Sequence, residues 1–270
     1  MARHQLQRAL RAVRTAAPPF GEDVHQARTA LKHVRALLKL MRRGGKTRKR
    51  LADVSRRVGN LRDADVVIAT FDRVMKTSGL PMTSALTGIR ARLEAKRVAL
   101  ETDPGTAADL KKAQRTLRQV MRRTRSRLHD RPRWPVIVEG LVGSYRKARR
   151  AMAAAYHKNT EIAFHSWRKA VKQHAYQLKT LAAGSKNRRG RQIDLDRLGD
   201  VLGEGQDLAM FEQTLHGEQS CFEDQNECQR MLALMQHRRR QLRTEVRPLG
   251  EQLFTERPRA FARRLARLKG

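Results

Sequence analysis

Apolar residues recur every three or four positions along most of the chain, which is the spacing that places them on one face of an α-helix. Between Val24 and Leu40, for example, Ala27, Leu31 and Val34 fall on one side of such a helix. The intervening positions are rich in Ala, Leu, Arg, Lys, Gln and Glu, which favour helices. Clusters of β-branched residues with period-two alternation are missing from the sequence. The pattern therefore predicts an all-α protein with roughly ten helices of ordinary length.

Proline and glycine separate the predicted helices from one another. These breaks fall at Pro18-Pro19, Gly44-Gly45, Gly79 to Pro81, Asp103 to Gly105, Arg131 to Pro135, Gly184 and Pro248. The segments between the breaks are long enough for several helical turns each. We expect the break near Pro132 to divide the chain into two halves.

Two motifs occur once in each half, in the same order. The stretch VHQARTALKHVRALLKL (residues 24–40) returns as FHSWRKAVKQHAYQLKT (164–180), and VGNLRDADV (58–66) returns as LGEGQDLAM (202–210). The first alignment pairs His25 with His165, Arg28 with Arg168, Lys32 with Lys172 and Lys39 with Lys179, and the second pairs Gly59 with Gly203 and Asp63 with Asp207. We predict a single domain, residues 1–270, made of two repeats of about 1–130 and 131–270. Each repeat would be a helical bundle, and a pseudo-two-fold axis would relate them.

One face of the first repeated helix is basic along its whole length, about 27 Å. At about 100° per residue, one arc of the helix holds His25, Arg28, Lys32, Arg35, Lys39, Arg42 and Arg43. The second helix repeats this basic face with His165, Arg168, Lys169, Lys172 and Lys179, in front of an apolar face containing Trp167, Val171 and Leu178. A single basic face is usually only solvated surface, but aligned cations repel one another, and their recurrence in both halves favours an anion-binding site.

Further cations follow each basic helix and are predicted to line the same groove. They are Arg50 and Arg57 in the first half and Arg188, Arg189 and Arg197 in the second. Asp63 and Asp207 are better interpreted as helix caps or as anchors that orient an arginine, because a carboxylate facing an anion would repel it. His174 projects to the apolar side and is predicted to be a core histidine with its hydrogen bonds satisfied, while His33 lies between the two faces and stays undecided.

Charge and composition narrow the class of ligand. The chain has 59 Lys and Arg against 26 Asp and Glu, a net charge of +33, yet its hydrophobic share of 40% is enough for a folded core. A compact protein with this excess is best stabilised by a polyanion. Aromatic residues are only 4% of the chain, which disfavours binding single strands by base stacking. No apolar run is long enough to span a bilayer, so we expect no membrane partner.

Other sequence signals favour a cytoplasmic protein without catalytic chemistry. The Arg-rich N-terminus resembles a transit peptide, but an amphipathic helix with Leu6, Leu10 and Val13 explains it better. Cys221 and Cys228 match no disulfide framework or zinc pattern, so we expect reduced thiols, no metal and no cofactor. No catalytic triad or metal-binding motif accompanies the histidines. A phosphoryl-transfer enzyme with His25 or His165 as the acceptor is therefore the weaker hypothesis.

The repeated motif resembles that of the CHAD family, the conserved histidine α-helical domain. Its signature is a twice-occurring helix of the form His-x-x-Arg-x-x-x-Lys/Arg-x-x-Arg, each followed by a glycine turn and an Asp. This sequence matches it with His25, Arg28, Lys32, Arg35, Gly59 and Asp63, and again with His165, Arg168, Lys172, Gly203 and Asp207. The sequence departs from the family at Ala175, where the last arginine of the second helix is expected. That departure predicts a site weighted toward the first half.

The resemblance implies a pair of four-helix bundles that enclose a basic groove and bind inorganic polyphosphate. It also implies a stand-alone binder that recruits to, or organises, polyphosphate granules, because 270 residues leave no room for a fused triphosphate-tunnel domain. Arginine suits this ligand because its planar fork grips two phosphate oxygens, and lysine supplies a compact charge. The alternative is an architectural protein that binds nucleic acid without sequence specificity through its phosphates. A narrow groove would exclude a duplex, and an exposed convex basic face would admit one.

Overall fold

A computed structural model describes residues 2–18, 20–124, 132–179, 186–217 and 225–267. Within these ranges the chain forms α-helices and no strand, which confirms the all-α fold class, and it has eleven helices where roughly ten were predicted. The helices are α1 (Ala2–Thr15), α2 (Gly21–Leu40), α3 (Gly45–Arg57), α4 (Gly59–Ser78), α5 (Ser84–Thr102), α6 (Pro104–Thr124), α7 (Trp134–Lys158), α8 (Glu161–Lys179), α9 (Lys186–Gly217), α10 (Gln225–Phe254) and α11 (Pro258–Ala266).

Local backbone chemistry sets the ends of the helices near the basic residues. After α2 the chain turns through Arg42 and Gly44, whose φ angles of 54° and 69° cannot continue a right-handed helix. Asn159 likewise ends α7, because its φ of 46° lies in the left-handed region. At the start of α5, Thr83 Oγ1 accepts a hydrogen bond of 3.2 Å from the Leu86 amide. These turns let α2 and α8 begin and end with their apolar faces toward the interior.

The predicted apolar faces of both repeated helices are buried. On α2 the buried residues include Leu31 and Val34, each with no measurable exposure. On α8 Trp167 and Val171 are equally buried, and Leu178 is 3% exposed. Hydrophobic burial of these faces fixes the rotation of each helix, so their basic faces must point outward.

The described residues form three hydrophobic cores. The first is formed by α1, α2, α3 and α6, and the second by α7, α8 and α11 with parts of α9 and α10. The third lies between α4 and α5 on one side and the second part of α9 and the first part of α10 on the other. Phe71 of α4 meets Phe211 of α9 edge-on in this third core, with ring centroids 5.8 Å apart. Helices from both predicted repeats therefore share a core, while the pseudo-two-fold relation and the repeat boundaries stay predictions.

Helices α2 and α8 pack against each other, which brings the two repeated motifs together. The buried side chain of Gln177 donates a hydrogen bond of 3.1 Å from Nε2 to the Ala36 carbonyl. The ring centroids of His33 and Tyr176 lie 4.1 Å apart in the same interface. Helix α7 closes this region, where Gly140 lies so near α2 that an added Cβ would be 2.3 Å from the Leu40 carbonyl oxygen. The basic faces of α2 and α8 are thus held side by side.

Candidate anion-binding site

Arg28 is anchored on the start of α4. Its Nη1 donates to the Gly59 carbonyl at 2.9 Å and to Asp63 Oδ1 at 3.1 Å. Gly59 leaves room for this arginine, since a Cβ there would meet Nη1 at 3.4 Å. Asp63 lies inside α4 and therefore orients the arginine instead of capping a helix, as one of the two interpretations predicted.

Arg168 occupies the corresponding place over Gly203 of α9. A Cβ on Gly203 would lie 3.4 Å from Arg168 Nε, and that Nε is buried without a hydrogen-bond partner among the described residues. Burial raises the pKa of the Asp207 carboxyl, and Arg168 and Arg73 oppose that rise. Asp207 Oδ2 lies 4.0 Å from Arg73 Nη2, so an arginine from the first half also reaches it. Asp207 is inside α9 and is not a helix cap.

Lys32 stands where cations from both motifs meet. Its side chain is exposed to solvent, yet burial within the surrounding protein, together with the charges of Arg168, Arg28 and Lys172, lowers its pKa to about 8. Lys32 is thus open to solvent while cations of both motifs surround it. None of the described carboxylates forms an ion pair with Lys32. We name Arg28, Lys32, Arg168 and Lys172 the central cluster.

Lys172 completes the central cluster from α8. Its Nζ contacts Asp200 Oδ1 at 2.8 Å, and the Asp200 side chain is 75% exposed. The lysine lies across α9 at Gly199, where an added Cβ would be 2.7 Å from Lys172 Cε. Because that carboxylate is open to solvent, screening weakens its hold and leaves the lysine able to turn toward a ligand.

A second group of cations surrounds the C-terminal half of α2. Burial lowers the pKa of Lys39, and Lys147 of α7 and Arg48 of α3 add to that effect. Burial and the same Arg48 lower the pKa of Arg35. Lys39 also donates a hydrogen bond of 2.8 Å to Gln173 Oε1 of α8. We name Arg35, Lys39, Arg48 and Lys147 the end cluster.

The sequence singled out neither Arg48 nor Lys147 as a site residue. Arg48 stands in the basic stretch that follows α2. The high content of Lys and Arg in that stretch was a signal that could have indicated this residue. Lys147 lies on α7, outside both repeated motifs, and nothing in its local sequence marks it. Only the packing of α7 beside the end of α2 brings this lysine into the end cluster.

The two motif histidines are biased toward the neutral form in the free protein. Burial lowers the pKa of His25, and Arg62 lowers it further. Burial and then Lys169 lower the pKa of His165, against a hydrogen bond with Gln206 that raises it. An anion would have to supply the charge that favours their protonation.

Of the other two histidines of the motif helices, His174 is buried and His33 is half-buried. His174 is fully buried, as predicted, with its Nδ1 2.8 Å from Ser144 Oγ and its pKa lowered by burial to about 3. Its Nε2 has no partner among the described residues, so the expectation that its hydrogen bonds are satisfied is wrong for that nitrogen. His33, left undecided by the sequence, packs on Tyr176, and burial lowers its pKa to about 4.

Ala175, the departure from the family motif, is completely buried in the core around α8. Its counterpart in the first motif, Arg35, is only half-buried. An arginine at position 175 would place an uncompensated charge in that core, at a high energetic cost. The second motif therefore has no counterpart of the Arg35 cation, and the weighting of the site toward α2 stays a prediction.

The remaining predicted site residues are spread more widely. Arg42 pairs with Glu139 of α7, and Arg57 pairs with Asp109 of α6 at 2.8 Å, so acids on neighbouring helices already engage both. Five of the other predicted cations have exposed side chains: Arg43, Lys169, Lys179, Arg189 and Arg197. The side chain of Arg50 is half-buried. The side chain of Arg188 lies outside the described residues, as does Cys221, while Cys228 is a buried free thiol.

The described residues also bear on two other kinds of site, a metal centre and a membrane span. No three His, Cys, Asp or Glu side chains there come together in a group that could hold a metal ion. In the same ranges, none of the helices has both the length and the apolar character required to cross a membrane.

Comparison with known proteins decides the family. The CHAD domain model matches residues 1–216, which include the central cluster and the end cluster. The chain belongs to the CHAD family. The crystal structure of the CHAD domain from the plant Ricinus communis has the same fold, with a TM-score of 0.59 and 18% sequence identity over 97% of this chain and 88% of that one. Comparison with curated proteins gave no match.

Proposed function

We propose that this CHAD protein binds inorganic polyphosphate along the exposed face of α2, through the central cluster and the end cluster. The observation that carries the proposal is Lys32, which has Arg28, Arg168 and Lys172 as neighbours and no ion pair with any described acid. Such a group of like charges is costly in the free protein. A bound polyanion removes that cost, which is the expected property of a preformed anion site.

The arrangement of the cations fits a linear polymer with closely spaced charges. Arg28, Lys32, Arg35 and Lys39 follow one another along α2 over about 17 Å, from the usual rise per residue. Side-chain cations from α3, α7 and α8 join this row from its sides. Such a row of lysines and arginines can contact successive phosphates of one linear strand.

We also propose that the site binds its ligand without transforming it. Of the acids beside the central cluster, Asp63 and Asp200 each contact a basic side chain of that cluster, and Asp207 has Arg168 and Arg73 as neighbours. A carboxylate held in this way is poorly suited to act as a general base. In the cell, binding of this kind would place the protein in the cytoplasm at polyphosphate granules.

The decisive experiment is competition between long-chain polyphosphate and a short DNA duplex at matched phosphate concentration and near-physiological salt. The groove variant, Lys32→Ala with Lys172→Ala, removes two cations that meet at the central cluster. The control variant, Lys76→Ala with Arg259→Ala, removes two exposed cations that have no ion pair among the described residues. The two variants therefore carry the same net charge.

We expect polyphosphate to be preferred by more than about tenfold, equivalent to 1.4 kcal/mol. The groove variant should lose that preference and the control variant should keep it. Equal binding of both polymers, with equal effects of the two variants, would show that net charge acts alone and would end the polyphosphate proposal. Phosphate release during the same incubation would contradict binding without catalysis.

A further inference from the structure

A second basic surface lies on α6, outside both repeated motifs. Lys111, Arg115, Arg118 and Arg122 follow one another at intervals of four, three and four residues, which places them along one side of the helix. All four side chains are exposed. We name them the α6 stripe. The opposite side of α6 is buried in the first core through Leu110, Ala113, Leu117 and Val120, so the stripe cannot turn inward.

The α6 stripe has no acidic partners in the part of the chain that the structure describes. None of its four cations forms an ion pair with any residue of the described ranges. The one acid on α6, Asp109, is 2.8 Å from Arg57 of α3. Some arginines elsewhere on the surface have acidic partners, such as Arg90 with Asp72 and Arg238 with Glu204. The stripe therefore differs from an ordinary solvated face, where charges of both signs are interspersed.

The neighbouring helix extends this positive field. Helix α1 packs beside α6, and Gln114 Nε2 donates to the Val13 carbonyl at 3.2 Å. The exposed side of α1 carries Arg3, Arg8, Arg11 and Arg14, and the helix contains no acid. The exposed residues of α1 thus add cations on the helix beside α6, and neither helix contributes a residue to the central cluster.

The chemistry of this surface favours one class of partner. The other exposed positions beside the stripe on α6 are Ala107, Ala108, Lys112, Gln119 and Arg123, so no large apolar and no aromatic side chain stands among them. Helices that enter a membrane surface need apolar residues beside their cations, and proteins that bind single strands need aromatic ones. A convex face of arginines and lysines instead suits contacts to the phosphates of a double helix.

We propose that the α6 stripe binds the phosphate backbone of double-stranded nucleic acid, at a site distinct from the groove. The stripe is about 17 Å long, which corresponds to about five base pairs of a duplex at 3.4 Å each. The contacts involve phosphates only, so the interaction is independent of sequence and sensitive to salt. With a polyanion site on α2 and this surface on α6, one molecule can hold two different polyanions together.

The test measures binding of a labelled DNA duplex over a range of salt concentrations. The stripe variant, Arg115→Ala with Arg118→Ala, is compared with the groove variant and the control variant, all of which remove two cations. Circular dichroism checks that each is folded; exposed positions and the helix propensity of alanine make this expected. Each phosphate contact contributes about −0.9 to the slope of log affinity against log salt, so the stripe variant should flatten the slope by about 1.8.

Each outcome decides the proposal. Support requires that the stripe variant alone shows the flatter slope, while its affinity for polyphosphate equals that of the control variant. If the groove variant is the one that loses DNA binding, or if all three variants lose it alike, no separate duplex site exists. A stripe variant that loses polyphosphate and DNA equally would make α6 a continuation of the groove. Binding to phosphatidylglycerol vesicles in place of the duplex would point to a membrane surface. The proposed function is tested separately, by the effect of the groove variant on polyphosphate binding.

Discussion

At the scale of the single residue, the position of Lys32 connects stability to function. A lysine in water has a pKa near 10.4, whereas burial and three neighbouring cations bring that of Lys32 to about 8. Between these values the unfolded chain holds a proton that the folded protein does not, so this lysine disfavours folding most strongly at and below pH 8 and less as pH rises toward 10.4. A polyanion bound beside it has the opposite effect and raises its pKa again.

The pH dependence of polyphosphate binding should therefore report on Lys32. Above pH 8 the free protein loses the Lys32 proton and must regain it to bind, so affinity should fall with pH, by at most about tenfold per pH unit from this residue. Lys32→Arg keeps its charge in this range and should give a flatter profile between pH 8 and 9.5. Isothermal titration calorimetry in buffers of different ionisation enthalpy would measure both the affinity and the proton uptake. Coincident profiles for the two proteins would mean that Lys32 does not contact the ligand.

At the scale of the helix, the sequence predicted which face of each helix is buried, but it did not predict which helices contact one another. The outward face of α2 follows from the spacing of Leu31 and Val34, because burial of an apolar face is a local property of each helix. Partners depend on packing between distant segments, which periodicity does not encode. Thus the sequence revealed Arg28 and Arg168 but not Lys147, and it did not predict the third core.

The close approach of α7 to α2 gives a test at this scale. A Cβ on Gly140 would collide with the backbone of Leu40, which cannot move without disturbing the end cluster, whereas Gly143 on the same helix has open space around it. We expect Gly140→Ala to lower the free energy of unfolding by about 2 kcal/mol through overpacking. Gly143→Ala should raise it by about 0.5 kcal/mol, because alanine favours the helix. Urea denaturation measures both changes, and equal effects would show that α7 and α2 are not in this contact.

At the scale of the whole molecule, the third core should make the two halves unfold together. Phe71 and Phe211 come from different halves, and both are completely buried. Each change to alanine should cost about 4 kcal/mol. A double-mutant cycle should give a coupling energy of about 1 kcal/mol, the usual value for an edge-on aromatic pair. Calorimetry should show one transition in the wild type; two separate transitions, each affected by only one of the substitutions, would mean that the halves fold independently.

The net charge of +33 means that salt and a bound polyanion should both stabilise the protein, but in different ways. Any salt weakens the general self-repulsion, but only a ligand of the folded state adds stability that grows with its concentration over the dissociation constant. At one hundred times that constant, polyphosphate should add about 2.7 kcal/mol and raise Tm by about 5 °C beyond sodium chloride of equal ionic strength. The groove variant should keep the response to sodium chloride and lose the additional response to polyphosphate. An equal rise with both salts in the wild-type protein would identify the basic face of α2 as a surface that screening alone stabilises.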